Sequence, residues 1–196
     1  MSIIAEELVE EWLNIQGYFT IRGVRVGTGE MDLLAVQVLD GAYDCWHYEV
    51  SGSLRPMGYV SDLAKGLQKT TGKKARSAIR RGLADLKVGV DEWVQKKFLD
   101  PEKEKTRQSL WQATWRFGFV VAKVKHQEEI PLLEEHGIRI VWLREILKDL
   151  KRRRDSRQPP IQAASWSDLV DLVMLDHARS ETGSTPSDSG SSGTRE

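Results

Sequence analysis

The order of apolar segments in this sequence predicts an α/β fold, a three-layer α/β/α sandwich around a mixed central sheet. Three strand-like segments follow one another near the N-terminus, and two later ones alternate with helical segments. Such an order is typical of a mixed sheet covered by helices on both faces. We expect one domain over residues 1–178 with an extra C-terminal helix, and a disordered Ser/Gly/Thr-rich tail over residues 179–196.

The N-terminal elements carry clear start and stop signals. Ser2 can cap a helix that Gly17 ends. The segment after the first turn is apolar on both alternating faces, which indicates a central strand. Asp40-Gly41 predicts a tight hairpin to the next strand. The predicted elements are a helix over residues 3–16 and strands over residues 18–26, 31–39 and 45–51.

The second half is predicted to alternate between helices and strands. A helical region covers about residues 60–98, interrupted near residues 70–72 and again near Gly89. Asp100-Pro101 begins a charged loop. The remaining predictions are a strand over residues 115–124, a helix over 128–136, a strand over 138–143, and helices over 144–154 and 165–178.

The overall composition is that of an ordinary soluble globular protein. The chain has 196 residues and a formal net charge of +0, so local clusters of charge must carry any argument about nucleic acid. Its single cysteine, Cys45, excludes an intrachain disulfide framework. We find neither a signal-peptide pattern nor an apolar run of membrane length, and we expect a cytoplasmic protein without a membrane partner.

Three acidic residues stand where the predicted fold can bring them together. Asp32 opens a buried strand, where a charge is costly unless it is compensated. Glu49 lies near the end of the neighbouring strand, with Ser51 on the same face, and Glu6 lies in the first turn of the first helix. Mg²⁺ prefers carboxylate and carbonyl oxygens as ligands. The pattern therefore predicts a divalent-metal site formed by Glu6, Asp32 and Glu49, to which the Val50 carbonyl can add a ligand.

The segments GEMDLLAV and HYEVS resemble the core of the PD-(D/E)xK, or restriction-endonuclease-like, nuclease superfamily. That core combines a helical Glu, an Asp at the start of one strand, and a (D/E)-x-K motif on the next. The Gly17-Tyr18 pair that ends the first helix is similar to the small resolvase-like members. The motif resemblance covers residues 3–53. It implies that Glu6, Asp32 and Glu49 bind Mg²⁺ or Mn²⁺ and that the substrate is a DNA phosphodiester.

The chain departs from that pattern where Ser51 occupies the position of the motif lysine. The resemblance implies that this lysine positions the attacking water, and a serine hydroxyl brings no positive charge. One alternative is that Lys65, Lys69 or Arg55 supplies the cation. The other is that catalysis has been lost while the fold is kept for binding.

Two nearby residues offer alternatives to parts of this site. Glu10, one turn beyond Glu6, is the rival helical ligand. His47 shares a face with Glu49, and such a histidine is more often a satisfied, partly buried residue than a ligand.

Basic residues follow directly after the acidic site. Lys and Arg make most protein contacts to nucleic-acid phosphates, so this cluster favours nucleic acid as the partner, although any single member is more often part of a solvated helix face. The predicted contacts are Arg55, Lys65, Lys69, Lys73, Lys74, Arg76 and Arg80.

These features support three functions in decreasing order. The first is a metal-dependent endonuclease that hydrolyses DNA, for which a homodimer would suit the cutting of both strands. The second is a catalytically inactive module of the same fold that binds nucleic acid or a protein partner. The third is a structural role without nucleic acid.

Overall fold

A computed structural model of the chain describes residues 3–51 and 56–155, and these ranges contain six helices and five strands. In chain order they are α1 (Ile3–Ile15), β1 (Phe19–Val26), β2 (Gly29–Leu39), β3 (Ala42–Ser51), α2 (Lys65–Thr71), α3 (Leu83–Lys97), α4 (Pro101–Leu110), β4 (Trp115–Val121), α5 (Glu129–Glu135), β5 (Ile138–Trp142) and α6 (Leu143–Asp155).

The five strands form one mixed sheet in the order β1-β2-β3-β4-β5. The first three strands pair antiparallel, whereas β4 runs parallel to β3 and β5 runs parallel to β4. Helices lie on both sides of the sheet. The predicted α/β class with a mixed central sheet is thereby confirmed. The strands all belong to one compact unit, Met1–Asp149.

The turn between β2 and β3 has the predicted hairpin chemistry. Asp40 and Gly41 have φ values of 50° and 80°. Positive φ at both central residues is the requirement of a type I′ turn, whose twist matches that of the flanking strands. The turn fixes the register, in which Leu39 pairs with Ala42 and Leu33 pairs with Tyr48.

One face of the sheet carries the predicted site and is covered by α3 and α5. In the parallel pairing of β3 with β4, His47 lies beside Phe117 and Glu49 beside Phe119. Apolar residues of the two helices pack on this face next to Glu49 and exclude water from it. The buried core of this layer consists of Val60, Val90, Val94, Phe98, Phe119, Val121, Val124, Leu133 and Ile138.

Residues 101–110 form helix α4, so the expected charged loop after Asp100-Pro101 was wrong. The Asp100 carboxylate accepts hydrogen bonds from the backbone N–H groups of Glu102 at 2.9 Å and Lys103 at 3.3 Å. Pro101 occupies the first turn, where a missing N–H costs nothing. The Asp-Pro pair is therefore a helix start, and this signal was present in the sequence.

Helix α3 runs through Gly89 without the expected interruption. A Cβ at this position would lie 2.8 Å from Ser61 Oγ and 3.0 Å from the Asp62 carbonyl oxygen. The missing side chain of Gly89 therefore lets the segment around Ser61 and Asp62 pack closely against α3, and the glycine does not interrupt the helix.

The helical prediction for the basic cluster was only partly right. Helix α2 ends at Thr71, and Gly72 follows with a φ of 65°. Residues 72–82 are irregular. Only Lys65 and Lys69 of the predicted basic contacts therefore lie on a helix.

The predicted helix over residues 165–178 and the predicted tail over residues 179–196 lie outside the described residues, as does the proposed domain end at residue 178. Within residues 3–51 and 56–155, no helix has both the length and the apolar character that crossing a membrane requires.

Candidate active site at the fork between two strands

The predicted acids lie where β2 and β3 separate. The backbone pairing of these strands ends at Leu33 and Tyr48. Beyond this pair, β2 continues with β1 as far as Gly29, and β3 continues with β4 as far as Ser51. Asp32 and Glu49 are the first residues past the last pair, so the two carboxylates flank the opening of a fork.

The Asp32 side chain bridges this fork. Its Oδ2 accepts a hydrogen bond of 2.8 Å from the Val50 backbone N–H. Because the N–H and C=O of one strand residue point to the same edge, the Val50 carbonyl also faces the fork. Asp32 is 4% exposed, and burial together with the Glu49 charge raises the pKa of its carboxyl to about 7. Asp32 therefore holds its proton to a higher pH than an ordinary aspartate does.

Glu49 is the most strongly compensated acid of the site. Its Oε2 accepts a hydrogen bond from the ammonium of Lys97, and its Oε1 lies 3.1 Å from Lys103 Nζ. Burial opposes ionisation, but the hydrogen bond from His47 and the charges of Lys97 and Lys103 outweigh it and lower the pKa of Glu49 to about 2. Glu49 is thus ionised at neutral pH although it is only 1% exposed.

The two lysines reach Glu49 from the junction of α3 and α4. Lys103 is buried, and its Nζ also donates to the carbonyl oxygens of Glu30 at 2.8 Å and Lys97 at 3.0 Å. The Lys97 side chain retains 32% of its exposure. Burial lowers the pKa of Lys97, but the Glu49 carboxylate and the charge of Asp32 raise it overall. Of these two lysines, Lys97 is therefore the one that solvent can reach.

His47 connects Glu49 to a buried arginine. Its Nε2 lies 3.3 Å from Glu49 Oε1, and its Nδ1 lies 3.0 Å from an Arg107 nitrogen. Burial lowers the pKa of His47 to about 4, so the ring is neutral near pH 7. Both ring nitrogens have a partner, as expected of a satisfied histidine, but His47 is fully buried and not partly buried.

Glu6 lies near the other acids in the first turn of α1. It is 7% exposed, and burial followed by the charge of Glu30 raises the pKa of its carboxyl. The Glu6 charge also contributes to the raised pKa of Asp32. The rival ligand Glu10 instead accepts a hydrogen bond from Thr20.

The acids interact electrostatically, but they do not form a preassembled metal centre. Among the described residues, no group of three or more His, Cys, Asp or Glu side chains is arranged to hold a metal ion. The predicted set of Glu6, Asp32, Glu49 and the Val50 carbonyl therefore stays a prediction.

The residues expected to supply or replace the motif lysine lie elsewhere. The Ser51 hydroxyl donates to Met57 Sδ at 3.1 Å. Lys65 is exposed on α2, and its backbone N–H donates to the Glu92 carboxylate at 3.1 Å. Arg55 lies outside the described residues. Lys97 and Lys103 were missed, because they lie 48 and 54 residues from Glu49 in the chain and no local pattern marks them.

The basic segment, which we define as residues 65–80, is solvent-facing, and its predicted contacts with nucleic acid stay a prediction. It contains six Lys or Arg and no Asp or Glu. All six side chains are exposed, and Arg76 lies 3.9 Å from Asp62. The six are Lys65, Lys69, Lys73, Lys74, Arg76 and Arg80.

A buried carboxylate fastens both ends of the basic segment to the fold. Glu129 accepts hydrogen bonds from the backbone N–H groups of Val60 at 2.5 Å and Ser61 at 3.1 Å, before the segment begins. Arg81, after its end, donates to the Ser61 carbonyl at 3.0 Å and lies 4.0 Å from Glu129. Arg81 is thus a structural residue and not a free cation.

A cleft of about 600 Å³ lies between α2 and α3. Lys65 and Lys96 line it together with Asp62, Glu92 and Asp100, but neither Asp32 nor Glu49 does. The acids of the candidate active site therefore lie at the fork and not in this cleft.

Comparison with known proteins leaves the family open. No family model matches the chain, and no curated protein matches it. One solved structure, the protein of unknown function AF1548, aligns with a TM-score of 0.43 at 15% sequence identity, over 87% of this chain and 76% of that chain.

Proposed function

We propose that the protein is a metal-dependent nuclease that hydrolyses phosphodiester bonds of DNA. The observation that carries this proposal is the fork itself. Asp32 and Glu49 flank the point where β2 and β3 separate, and Lys97 from α3 reaches Glu49. The motif that the sequence resembles has a lysine two residues after the second acid, where this chain has Ser51. Lys97 would supply the missing positive charge from helix α3.

The chemistry of the donor set fits Mg²⁺ or Mn²⁺. The groups around the fork are carboxylates and a backbone carbonyl, the oxygen ligands that these ions prefer. Burial and the charge of Glu49 raise the pKa of Asp32, and a cation bound at the fork would favour its ionised form. Glu6, Asp32, Glu49 and the Val50 carbonyl would hold the ion. When bound, it would lower the pKa of a water molecule and stabilise charge on the phosphate.

The two lysines would have different roles. Lys103 is buried and shared among Glu49 and two backbone carbonyls, so it holds the fork together. Lys97 is partly exposed and makes one side-chain bond, to Glu49. Its ammonium can therefore turn towards a phosphate oxygen and orient the substrate.

The basic segment would hold the nucleic-acid backbone. Its six exposed cations follow one another in the sequence without an intervening acid, on a chain whose formal net charge is +0. Phosphate contacts of this kind position a nucleic acid without reading its sequence.

The deciding experiment compares the wild type with Asp32→Asn, which keeps an oxygen that can accept from Val50. Mg²⁺ and Mn²⁺ binding is measured by titration calorimetry with and without DNA, and cleavage is measured on plasmid DNA. We expect the wild type to bind and cleave, and the variant to lose both while it still binds DNA. Glu102→Gln, an exposed acid on α4, is the matched control and should behave as the wild type. A wild type that binds neither ion, even with DNA present, contradicts the proposal.

A second candidate is a catalytically inactive module that binds nucleic acid or a protein partner. It is favoured by the fact that both Glu49 oxygens already accept hydrogen bonds from lysines and that the described residues contain no preassembled metal group. The same assay separates the two functions. The inactive module would bind DNA through the basic segment and cleave none, with or without metal.

A further inference from the structure

Arg107 is the largest fully buried side chain among the described residues, with an exposure of 0%. Its NH2 donates to the Phe98 carbonyl at 2.9 Å and to the Glu104 carboxylate, and its guanidinium lies 5.1 Å from the centre of the Phe117 ring. Its Nε has no hydrogen-bond partner. Burying a guanidinium that is not fully hydrogen-bonded is costly, so this placement requires a reason.

The contact with His47 fixes the position of a proton. A guanidinium has only donors, so Arg107 NH1 must donate to His47 Nδ1 across 3.0 Å. In a neutral ring with an accepting Nδ1, the proton is on Nε2. That N–H then points at Glu49 Oε1, 3.3 Å away.

The opposite tautomer of His47, with the proton on Nδ1, would create two unfavourable contacts. It would set the His47 Nδ1–H against the Arg107 donor and the Nε2 lone pair against the ionised Glu49 carboxylate. Both contacts are fully buried, and water cannot relieve either repulsion. Arg107 therefore leaves His47 with one favourable proton position.

This proton position orients the Glu49 carboxylate. Oε1 receives hydrogen bonds from His47 and Lys103, which are both buried, whereas Oε2 contacts the partly exposed Lys97. Oε2 is thus the oxygen that contacts the more exposed of the two lysines. A carboxylate held in this way needs no reorientation when an ion or a phosphate arrives.

We propose that Arg107 is a positioning residue which, by fixing the tautomer of His47, keeps Glu49 Oε1 bonded to buried donors and leaves Oε2 as the oxygen for a divalent cation. The inference rests on the proposed function for the cation, while the hydrogen-bond chain itself can be tested without any metal. Arg107 touches neither the substrate nor the ion and acts only through His47.

The first experiment is ¹⁵N NMR of the full chain with labelled histidine at neutral pH. His47 is identified by the loss of its signals in His47→Gln. We expect the spectrum of a neutral ring protonated on Nε2 in the wild type, and a measurable population of rings with a proton on Nδ1 in Arg107→Leu, because the donor that excludes this proton is gone. Arg116→Gln, which removes an exposed guanidinium elsewhere, should leave His47 unchanged. A wild-type ring protonated on Nδ1 overturns the inference.

The second experiment measures Mn²⁺ affinity of the same variants. Loss of a residue that orients a metal ligand costs about 10–100-fold in affinity, and we expect that loss in Arg107→Leu. Arg107→Lys keeps the positive charge and a donor, so it should recover part of the lost Mn²⁺ affinity. It replaces Arg107→Leu in the experiment if the leucine variant does not fold. Unchanged affinity in both variants overturns the role of Arg107 alone. No Mn²⁺ binding by the wild type overturns the proposed function as well.

Discussion

The Asp32 carboxylate accepts a hydrogen bond of 2.8 Å from the Val50 backbone N–H across the opening between β2 and β3. The pairing of the two strands ends at Leu33 and Tyr48, so no backbone carbonyl of β2 accepts from the Val50 N–H in the strand ladder. The Asp32 side chain accepts from this donor instead. The cost of burying this acid is therefore partly offset by a bond that the fork requires.

The raised pKa of Asp32 predicts a specific pH dependence of stability. The pKa lies near 7 in the folded chain and near 3.8 in the unfolded one, so the folded state binds the extra proton between these values. The free energy of unfolding should therefore fall as pH rises from about 4 to 7. The free energy of unfolding of Asp32→Asn, taken relative to that of the wild type, should be roughly 2 kcal/mol higher at pH 8 than at pH 5.

Urea unfolding of both proteins at the two pH values measures this difference. The comparison with the variant cancels His47, whose lowered pKa makes stability rise with pH between about 4 and 6.5. Parallel pH profiles for the two proteins would show that Asp32 has an ordinary pKa. If the fork binds a cation, adding Mg²⁺ should stabilise the wild type at pH 8 and leave the variant unchanged.

Lys97 and Lys103 should differ in what their removal costs. Lys103→Met leaves the buried Glu49 carboxylate short of a cation and frees two carbonyls, so we expect a loss of about 3 kcal/mol in the free energy of unfolding. Lys97→Met should cost only about 1 kcal/mol because its ammonium is partly solvated. It should nevertheless abolish cleavage.

Chemical denaturation and the plasmid assay measure these two effects. Lys96→Met, at the exposed neighbouring position, is the control for Lys97 and should retain both stability and cleavage. Lys65→Met tests the cation expected from the sequence. Loss of cleavage in Lys65→Met with full activity in Lys97→Met would reverse the assignment.

The basic segment should contribute to DNA binding through charge alone. Replacing Lys73 and Lys74 by Gln removes two phosphate contacts and should lower the slope of log affinity against log salt by about 2, equally for different DNA sequences. Fluorescence anisotropy over a salt series measures the slope. The double variant of Lys87 and Lys105 to Gln carries the same charge change at exposed sites outside the segment, and an equal effect there would indicate non-specific attraction.

Glu129 should control how firmly the basic segment is held. Glu129→Gln keeps one acceptor but loses the charge facing Arg81 and two of the acceptor lone pairs, so residues 60–81 should open more often. Limited trypsin digestion should then cut within the segment several-fold faster than in the wild type, while the β-sheet stays folded by circular dichroism. Equal digestion rates would show that the segment is held by its apolar contacts alone.

Much of the fold could be predicted because its signals are local. The hairpin follows from Asp40-Gly41, and the end of α5 follows from Gly137, whose φ is 74°. The acidic positions of the site were also visible, since Asp32 interrupts an otherwise apolar strand and Glu49 lies on the next one. Helix α4 could have been found from Asp100-Pro101, because an acid that caps a helix and a proline in its first turn are both local signals.

The sequence by itself determined the order of the elements and the pair of acids at the fork, because strand periodicity and turn chemistry act between neighbours in the chain. Only the tertiary structure decided which cations meet Glu49. Lys97 and Lys103 reach it because α3 and α4 pack over the sheet, and that packing depends on apolar contacts far apart in the sequence, such as Trp93 against Phe119 and Phe98 against Phe117. The sequence shows which residues are lysines, but the packing of the helix that carries a lysine decides which carboxylate its ammonium contacts.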